Sequence, residues 1–312
     1  MAIVDLVAQG KFVSFPFLHT TYADLRYLVS AREHVSTLRS AAVTRLKSIL
    51  EVVFPEYERI FVQFEKKTPL VLLKAYPGPA ALLAASKKQV LKLLHVTSRG
   101  HLGLERYEEL MDAARITLAL PGAQNALRDE IPLIIDRVEL FNAQLATLKT
   151  RMIATLDETP EGVFLLTIPG VQPVTAATFL GSIGDPRAYE SSSQVLKLAG
   201  LSLVERSSGL LKGHQRISKR GRPVLRRHAF MFALRSVRKD GIYHAEFVKL
   251  LANNGGVKMS ALTAISRKAL KLMFRVARER RAFVPMGAMT RGIPVKMPEV
   301  VMNEPAAVAV GS

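Results

Sequence analysis

From Tyr22 onward the apolar positions recur at helical spacing. Leu25, Leu28, Val35, Leu38, Ala42, Leu46, Ile49 and Val53 follow one another at threes, fours and sevens and so share one helix face. Phe54-Pro55 closes that helix, because proline drives the residue before it out of helical geometry. Ahead of it, residues 1–20 hold at most one short strand, around Phe12 to Phe17. Shorter helical pieces follow to about Leu120, interrupted at Pro69 and at Tyr76-Pro77-Gly78-Pro79. Then Leu127, Ile131, Ile134, Val138, Phe141, Leu145, Leu148 and Met152 are spaced 4-3-4-3-4-3-4. This heptad seam predicts a coiled coil or the long helix of an antiparallel bundle, with an ordinary core helix as the plainer alternative. Pro132 is expected near the first turns or at a kink. Asp157 to Gly162, with Thr159-Pro160, ends the helix and marks a domain boundary.

A second pattern starts at Val163. Leu165 to Ala177 reads as two helices joined through Ile168-Pro169-Gly170-Val171 and resembles a helix-hairpin-helix, with Gln172 where a second glycine is usual. Such a hairpin turns backbone amides toward phosphate oxygens, Gly170 among them, without reading sequence. A plain packing corner is the competing reading. Gly181-Ser182-Ile183-Gly184 reads as a helix end. Pro223 suits the first turn of a helix that begins there. A last helix is expected from about Val257 to Arg280, with Met259, Leu262, Ile265, Ala269, Leu272 and Val276 as its apolar stripe. Arg267, Lys271, Arg275 and Arg278 line another side of it, as a phosphate-facing surface or simply a solvated face. Residues 282–312 carry prolines and small residues without periodicity and read as a disordered tail. The fold class is therefore mainly α.

Composition sharpens this picture at one point. The 312 residues suit about two domains, and 49% hydrophobic content provides for packed cores. There is no cysteine, which excludes disulfides and thiolate metal sites. Neither a signal peptide nor an apolar run of membrane-spanning length is visible, so the expected location is cytoplasmic, with no membrane partner. The net charge of +18, however, calls for a polyanion. Nucleic acid is the commonest one; ribosome association and membrane-surface binding are the alternatives.

The charge is concentrated. Between Arg206 and Lys239 stand eleven cations: Arg206, Lys212, Arg216, Lys219, Arg220, Arg222, Arg226, Arg227, Arg235, Arg238 and Lys239, with no Asp or Glu among them. A solvated basic face usually carries interspersed acids, so their absence favours phosphate binding. His214 and His228 lie in this run as phosphate or structural contacts. No HxH, HExxH, P-loop or dinucleotide fingerprint occurs. Arg206-Ser207-Ser208-Gly209 opens the run. A loop serine beside a glycine and among cations suits nucleophilic attack on a phosphodiester, the cations offsetting charge that builds on phosphorus. A serine that merely caps or hydrogen-bonds is the commoner case.

Thr167-Ile168-Pro169-Gly170-Val171, Thr175-Ala176-Ala177, Gly184-Asp185, Tyr189, Leu198-Ala199-Gly200-Leu201, Ser208-Gly209, Ile217-Ser218-Lys219-Arg220-Gly221 and Leu225-Arg226-Arg227 occur in this order over some sixty residues. Together they resemble the C-terminal domain of the 110/116/902 group of insertion-sequence transposases. Leu25 to Pro55 also resembles the helix that follows that family's catalytic domain, so the likeness covers residues 1–281. The resemblance implies a DNA transposase with Ser208 as nucleophile, beside which the charge pattern and the hairpin put Arg206, Gly209, Lys212, Arg216, Lys219, Arg220, Arg222, Arg226, Arg227 and Gly170 on nucleic acid. It further implies DNA and an element-encoded guide RNA as partners, homo-oligomers formed through the helical region, and a RuvC-like domain whose four acids hold divalent metal (Mg).

The chain departs from the pattern at its start. Ala2 to Gly10 resembles the helix end that follows the family's last acidic pair, which places the metal-binding acids before Met1; Asp5 falls at a variable position and is not assigned as a ligand. The expectation is a truncated copy or a displaced start, with residues 1–20 as the remnant of the RuvC-like domain. Residues 21–157 are then the helical, coiled-coil region, 158–281 the serine-bearing domain and 282–312 the tail. An inactive nucleic-acid-binding remnant that regulates or titrates an intact transposase is the alternative function.

Overall fold

Thr20–Val53 contains neither glycine nor proline and forms one continuous helix, α1. Phe54, the residue before Pro55, closes it by donating its N–H to Leu50 O at 2.8 Å. The structure, a computed structural model, describes Asp5, residues 8–9, 20–119, 124–204 and 216–284. The strand expected at Phe12–Phe17 lies outside these residues, as does the tail from 285 onward. Near the N-terminus Gln9 N–H donates to Asp5 O at 3.1 Å. The described residues are mainly helical.

Two compact units are formed, Ala31–Lys149 in one and Met1–Ser30 with Thr150–Ser312 in the other. In the first, α1 is followed by α2 (Tyr57–Ile60), α3 (Lys67–Ala75), α4 (Pro79–Ala84), α5 (Lys87–Thr97), α6 (Leu104–Arg115) and α7 (Gln124–Asp157). Leu46, Ile49, Leu50 and Val53 of α1 share a core with Ile131, Ile134, Ile135 and Val138 of α7. Phe54, Tyr57, Leu72 and Leu94 fill it. Tyr57, buried there, donates its hydroxyl to Pro69 O at 2.8 Å, and burial holds the phenol well above its usual pKa. Arg39 Nε reaches Asn142 Oδ1 at 2.6 Å, and Arg45 binds both oxygens of Glu130 at 2.9 and 2.6 Å. These pairs run in opposite directions along α1 and α7. The heptad positions divide: Ile131, Ile134 and Val138 enter the core, whereas Phe141, Leu145 and Leu148 are half-buried. Pro132 sits inside α7, past its first turns, and has no N–H to contribute to the helical hydrogen bonds.

The second unit continues with α8 (Pro160–Leu166), α9 (Pro173–Ile183), a 3-10 turn (Pro186–Ala188), α10 (Ser192–Leu198), strands β1 (Leu203–Val204) and β2 (Arg216–Ile217), α11 (Pro223–Ser236), α12 (His244–Asn253) and α13 (Lys258–Glu279). Every residue of α9 from Thr175 to Ile183 is buried, as an apolar helix without a polar face requires. Gly181 lets the α1 backbone come close, since a Cβ there would lie 2.9 Å from the Leu25 carbonyl carbon. Gly184 ends α9 at φ 76°, the expected helix end, and Pro223 opens α11. The amphipathic α13 lays Leu262, Ile265, Ala269, Met273 and Val276 into the core, against α11, α10 and α8. Met259, expected on that stripe, is 63% exposed, because it stands on the helix's first turn, short of the elements α13 packs on.

One polar knot ties this unit together. Glu161, fully buried on α8, accepts from Tyr22 Oη at 2.7 Å and from Arg280 Nε and Nη2 at 3.0 and 2.9 Å. Burial, and after it the hydrogen bond to Glu161, raise the Tyr22 pKa. Arg280 reaches Glu161 from the left-handed C-cap of α13, at φ 47°. Phe283, within the stretch expected to lack structure, donates its N–H to Thr167 Oγ1 at 2.8 Å.

Candidate nucleic-acid interface

The two ends of the segment that carries Ser208 are held by a short antiparallel ladder. Leu203 pairs with Ile217 and Val204 with Arg216. The pairing continues inward through Ser218 N–H to Ser202 O at 2.8 Å, Lys219 N–H to Gly200 O at 2.9 Å and Arg222 N–H to Leu198 O at 2.7 Å. Arg206, Ser208, Gly209 and Lys212 themselves lie outside the described residues.

Two glycines make this close approach feasible. Gly200 has φ 68°, and a Cβ on it would lie 2.7 Å from Arg226 Nη1 and 2.8 Å from the Lys219 carbonyl carbon. Gly221 has φ 146°, and a Cβ there would lie 2.4 Å from Leu198 O and 2.6 Å from Gly200 N. Both therefore need glycine for conformation and for space. Lys219 adopts φ 55° without that freedom. A left-handed non-glycine residue costs on the order of 1–3 kcal/mol and persists where its surroundings dictate it. Here its N–H and carbonyl are both engaged, the latter by Arg226 Nη1 at 3.2 Å.

The described arginines of the run divide into two groups. Three point inward onto neutral acceptors. Arg222 Nη1 donates to Ser182 O; Arg226 Nη1 to Ala199 O at 3.0 Å; Arg235 Nε to Gly170 O at 2.8 Å, with Nη2 on Thr175 Oγ1 at 2.9 Å. Arg26 joins Arg222 at the α9 C-terminus, donating to Gly181 O at 3.0 Å. Burial, then the neighbouring Arg222, lower the Arg26 pKa; burial, then Arg238, lower that of Arg235. Since carbonyls carry no net charge, these bonds orient the arginines without neutralising them. Arg216, Lys219, Arg220, Arg227, Arg238 and Lys239 are exposed. Lys219, Arg220, Arg222, Arg226 and Arg227 thus gather around the turn that leads into α11, directly beyond the ladder.

Gly170 lies in the turn between α8 and α9 at φ 90° and is fastened by Arg235. Its turn is closed by Val171 N–H to Ile168 O at 3.0 Å. Sequence reasoning singled out Gly170 but missed Arg26, the ladder and the inward bonds. The pairing of Leu203-Val204 with Arg216-Ile217 is too short for a strand pattern, and the inward bonds join residues far apart in the chain.

Among the described residues no group of three His, Cys, Asp or Glu side chains is placed to hold a metal ion. Of the acids in the second unit, Glu161 is spent on Tyr22 and Arg280, and Asp185 on Arg187 at 2.9 Å. The described donor set does not fit the divalent metal that the resemblance implies.

Residues 163–249, the span from α8 through most of α12, match the family described as Transposase IS116/IS110/IS902. They form a transposase domain of this family. The likeness extends beyond it. An insertion element IS116 protein of Streptomyces clavuligerus is 26% identical over 279 residues, 88% of this chain and 68% of its own length. An insertion element IS110 protein of Streptomyces coelicolor is 23% identical, over 82% of this chain and 63% of its own. A pilin gene-inverting protein of Moraxella bovis is 29% identical over 155 residues, 47% of this chain and 48% of its own. The chain thus spans about two thirds of the insertion-element relatives. No described helix of the transposase domain or its surroundings is long and apolar enough to cross a membrane.

Proposed function

We propose that this chain acts in DNA transposition or inversion as the serine-bearing part of a recombinase. Ser208 Oγ attacks a DNA phosphorus, the bond from phosphorus to one sugar oxygen breaks, and that oxygen leaves with a proton. The phosphoserine so formed conserves the bond energy for rejoining to a second strand. The observation that carries this reading is the ladder, which fixes residues 204 and 216 side by side next to an acid-free cationic turn. Exposed Arg216, Lys219, Arg220 and Arg227, with Arg206 and Lys212, hold the phosphodiester. Arg222 and Arg226 shape the turn from beneath while keeping their charge near it. The turn at Gly170 adds backbone contacts in the manner of a helix-hairpin-helix.

In this reading a structured guide RNA selects the DNA, copies of the chain associate through the helical region of residues 21–157, and divalent metal is supplied by acids outside the described residues. The test is covalent trapping. Chain and an intact family member are incubated with nicked duplex carrying the element end, and protein–DNA adducts are separated under denaturing conditions. The adduct of this chain should vanish with Ser208→Ala, persist with Ser207→Ala, and leave duplex affinity nearly unchanged. DNA binding without any adduct from the unmodified chain would establish instead the inactive binder that titrates an intact transposase.

A further inference from the structure

The helix α13 lies beyond residues 163–249, the span of the transposase domain match, and carries a column of cations that the serine chemistry does not use. Arg267, Lys271, Arg275 and Arg278 stand four, four and three residues apart and so fall on one face, about 16 Å from end to end. Lys271, Arg275 and Arg278 are exposed, and Arg267 is half-buried with its Nε shut from solvent and without an acceptor. Arg278 is held in place by Glu190 O at 2.6 Å and by the ring of Phe274 below it. The neighbouring Lys268 is neutralised by Glu246, yet among the described residues no carboxylate lies within ion-pair distance of Arg267, Lys271, Arg275 or Arg278. Like charges at this spacing repel along a helix. A column built this way is stable when an external polyanion lies along it.

We infer that this column is a second track for duplex DNA, distinct from the cationic turn that leads into α11. The inference rests on the recombinase reading, since it assumes that the chain handles DNA. The only aromatic side chain of α13, Phe274, is buried, so the helix itself presents no exposed ring of the kind on which proteins stack single strands. What it offers is regularly spaced charge on a straight rigid element, which suits the phosphates of a duplex backbone. Contacts of this kind fix the position of DNA without reading its sequence. A recombinase that joins two duplexes needs such a hold on flanking DNA while its serine is engaged elsewhere.

The test is the salt dependence of binding to a 30-base-pair duplex, measured by fluorescence anisotropy on the full chain. Lys271→Gln with Arg275→Gln should make the slope of log K against log salt shallower by about 1.8. Lys271→Arg with Arg275→Lys should retain the slope. Lys88→Gln with Lys92→Gln, exposed on α5 and equal in charge lost, should also retain it. A steep slope in the unmodified chain that the α13 pair leaves unchanged overturns this inference alone. A shallow slope in the unmodified chain overturns the recombinase reading, and this inference with it. Loss of affinity for an RNA hairpin but not for the DNA duplex overturns the assignment to DNA.

Discussion

Replacing Arg280 by Met isolates the role of the buried Glu161 carboxylate. In the native chain its Oε1 accepts from Arg280 Nε and Nη2 at 3.0 and 2.9 Å, and its Oε2 from Tyr22 at 2.7 Å. Methionine covers a similar length of apolar stem and removes both charged donors. Glu161 is 0% exposed, so water cannot take their place, and the carboxylate is left with the tyrosine alone. Breaking a buried pair in this way costs about 3–5 kcal/mol. The Arg280 side chain is 36% exposed, which places the expected loss at the lower end, about 3 kcal/mol. At roughly 2–4 °C per kcal/mol for a unit of this size, the melting temperature should fall by roughly 6–12 °C. Differential scanning calorimetry and urea titration give the two values independently. Combining Arg280→Met with Glu161→Gln removes the stranded charge, so the double variant should be more stable than Arg280→Met alone. A loss below about 1 kcal/mol for Arg280→Met, or simple addition of the two single effects, would refute the reasoning.

Gly221→Ala places a methyl 2.4 Å from Leu198 O in a backbone conformation that alanine rarely adopts, and should separate the segments around Gly200 and Gly221. We expect a loss of at least about 2 kcal/mol in urea titration, together with faster amide exchange at Lys219 and Arg222. Arg226→Gln and Arg220→Gln should part company. The first should lower stability by about 1.5–3 kcal/mol and leave the salt slope of DNA binding nearly intact, since its donors serve Ala199 O and Lys219 O. The second should leave stability within about 0.5 kcal/mol and make the slope shallower by about 0.9. The opposite pattern would reassign Arg226 to phosphate.

The individual helices were legible in the chain because their causes are local. Apolar spacing predicts α1, α7 and α13; Pro55, Gly184 and Pro223 set ends and a beginning that depend only on the backbone of a few residues. The acid-free cationic run is likewise a property of composition, and it stands whatever the chain folds into. What the sequence could not tell was which of those cations face outward. Arg222 finds its acceptor at Ser182, 40 residues earlier, Arg226 at Ala199, 27 earlier, and Arg235 at Gly170, 65 earlier. Nothing in the spacing of arginines distinguishes these three from exposed Arg220. The same holds for Gly200 and Gly221, each needed because the other's segment passes within contact distance. Glu161 reads as an ordinary helix-start acid until Tyr22 and Arg280 close over it from 139 and 119 residues away. Periodicity and charge are summed along a chain, whereas a carbonyl's free lone pair or the room for a methyl group exists only once distant segments have met.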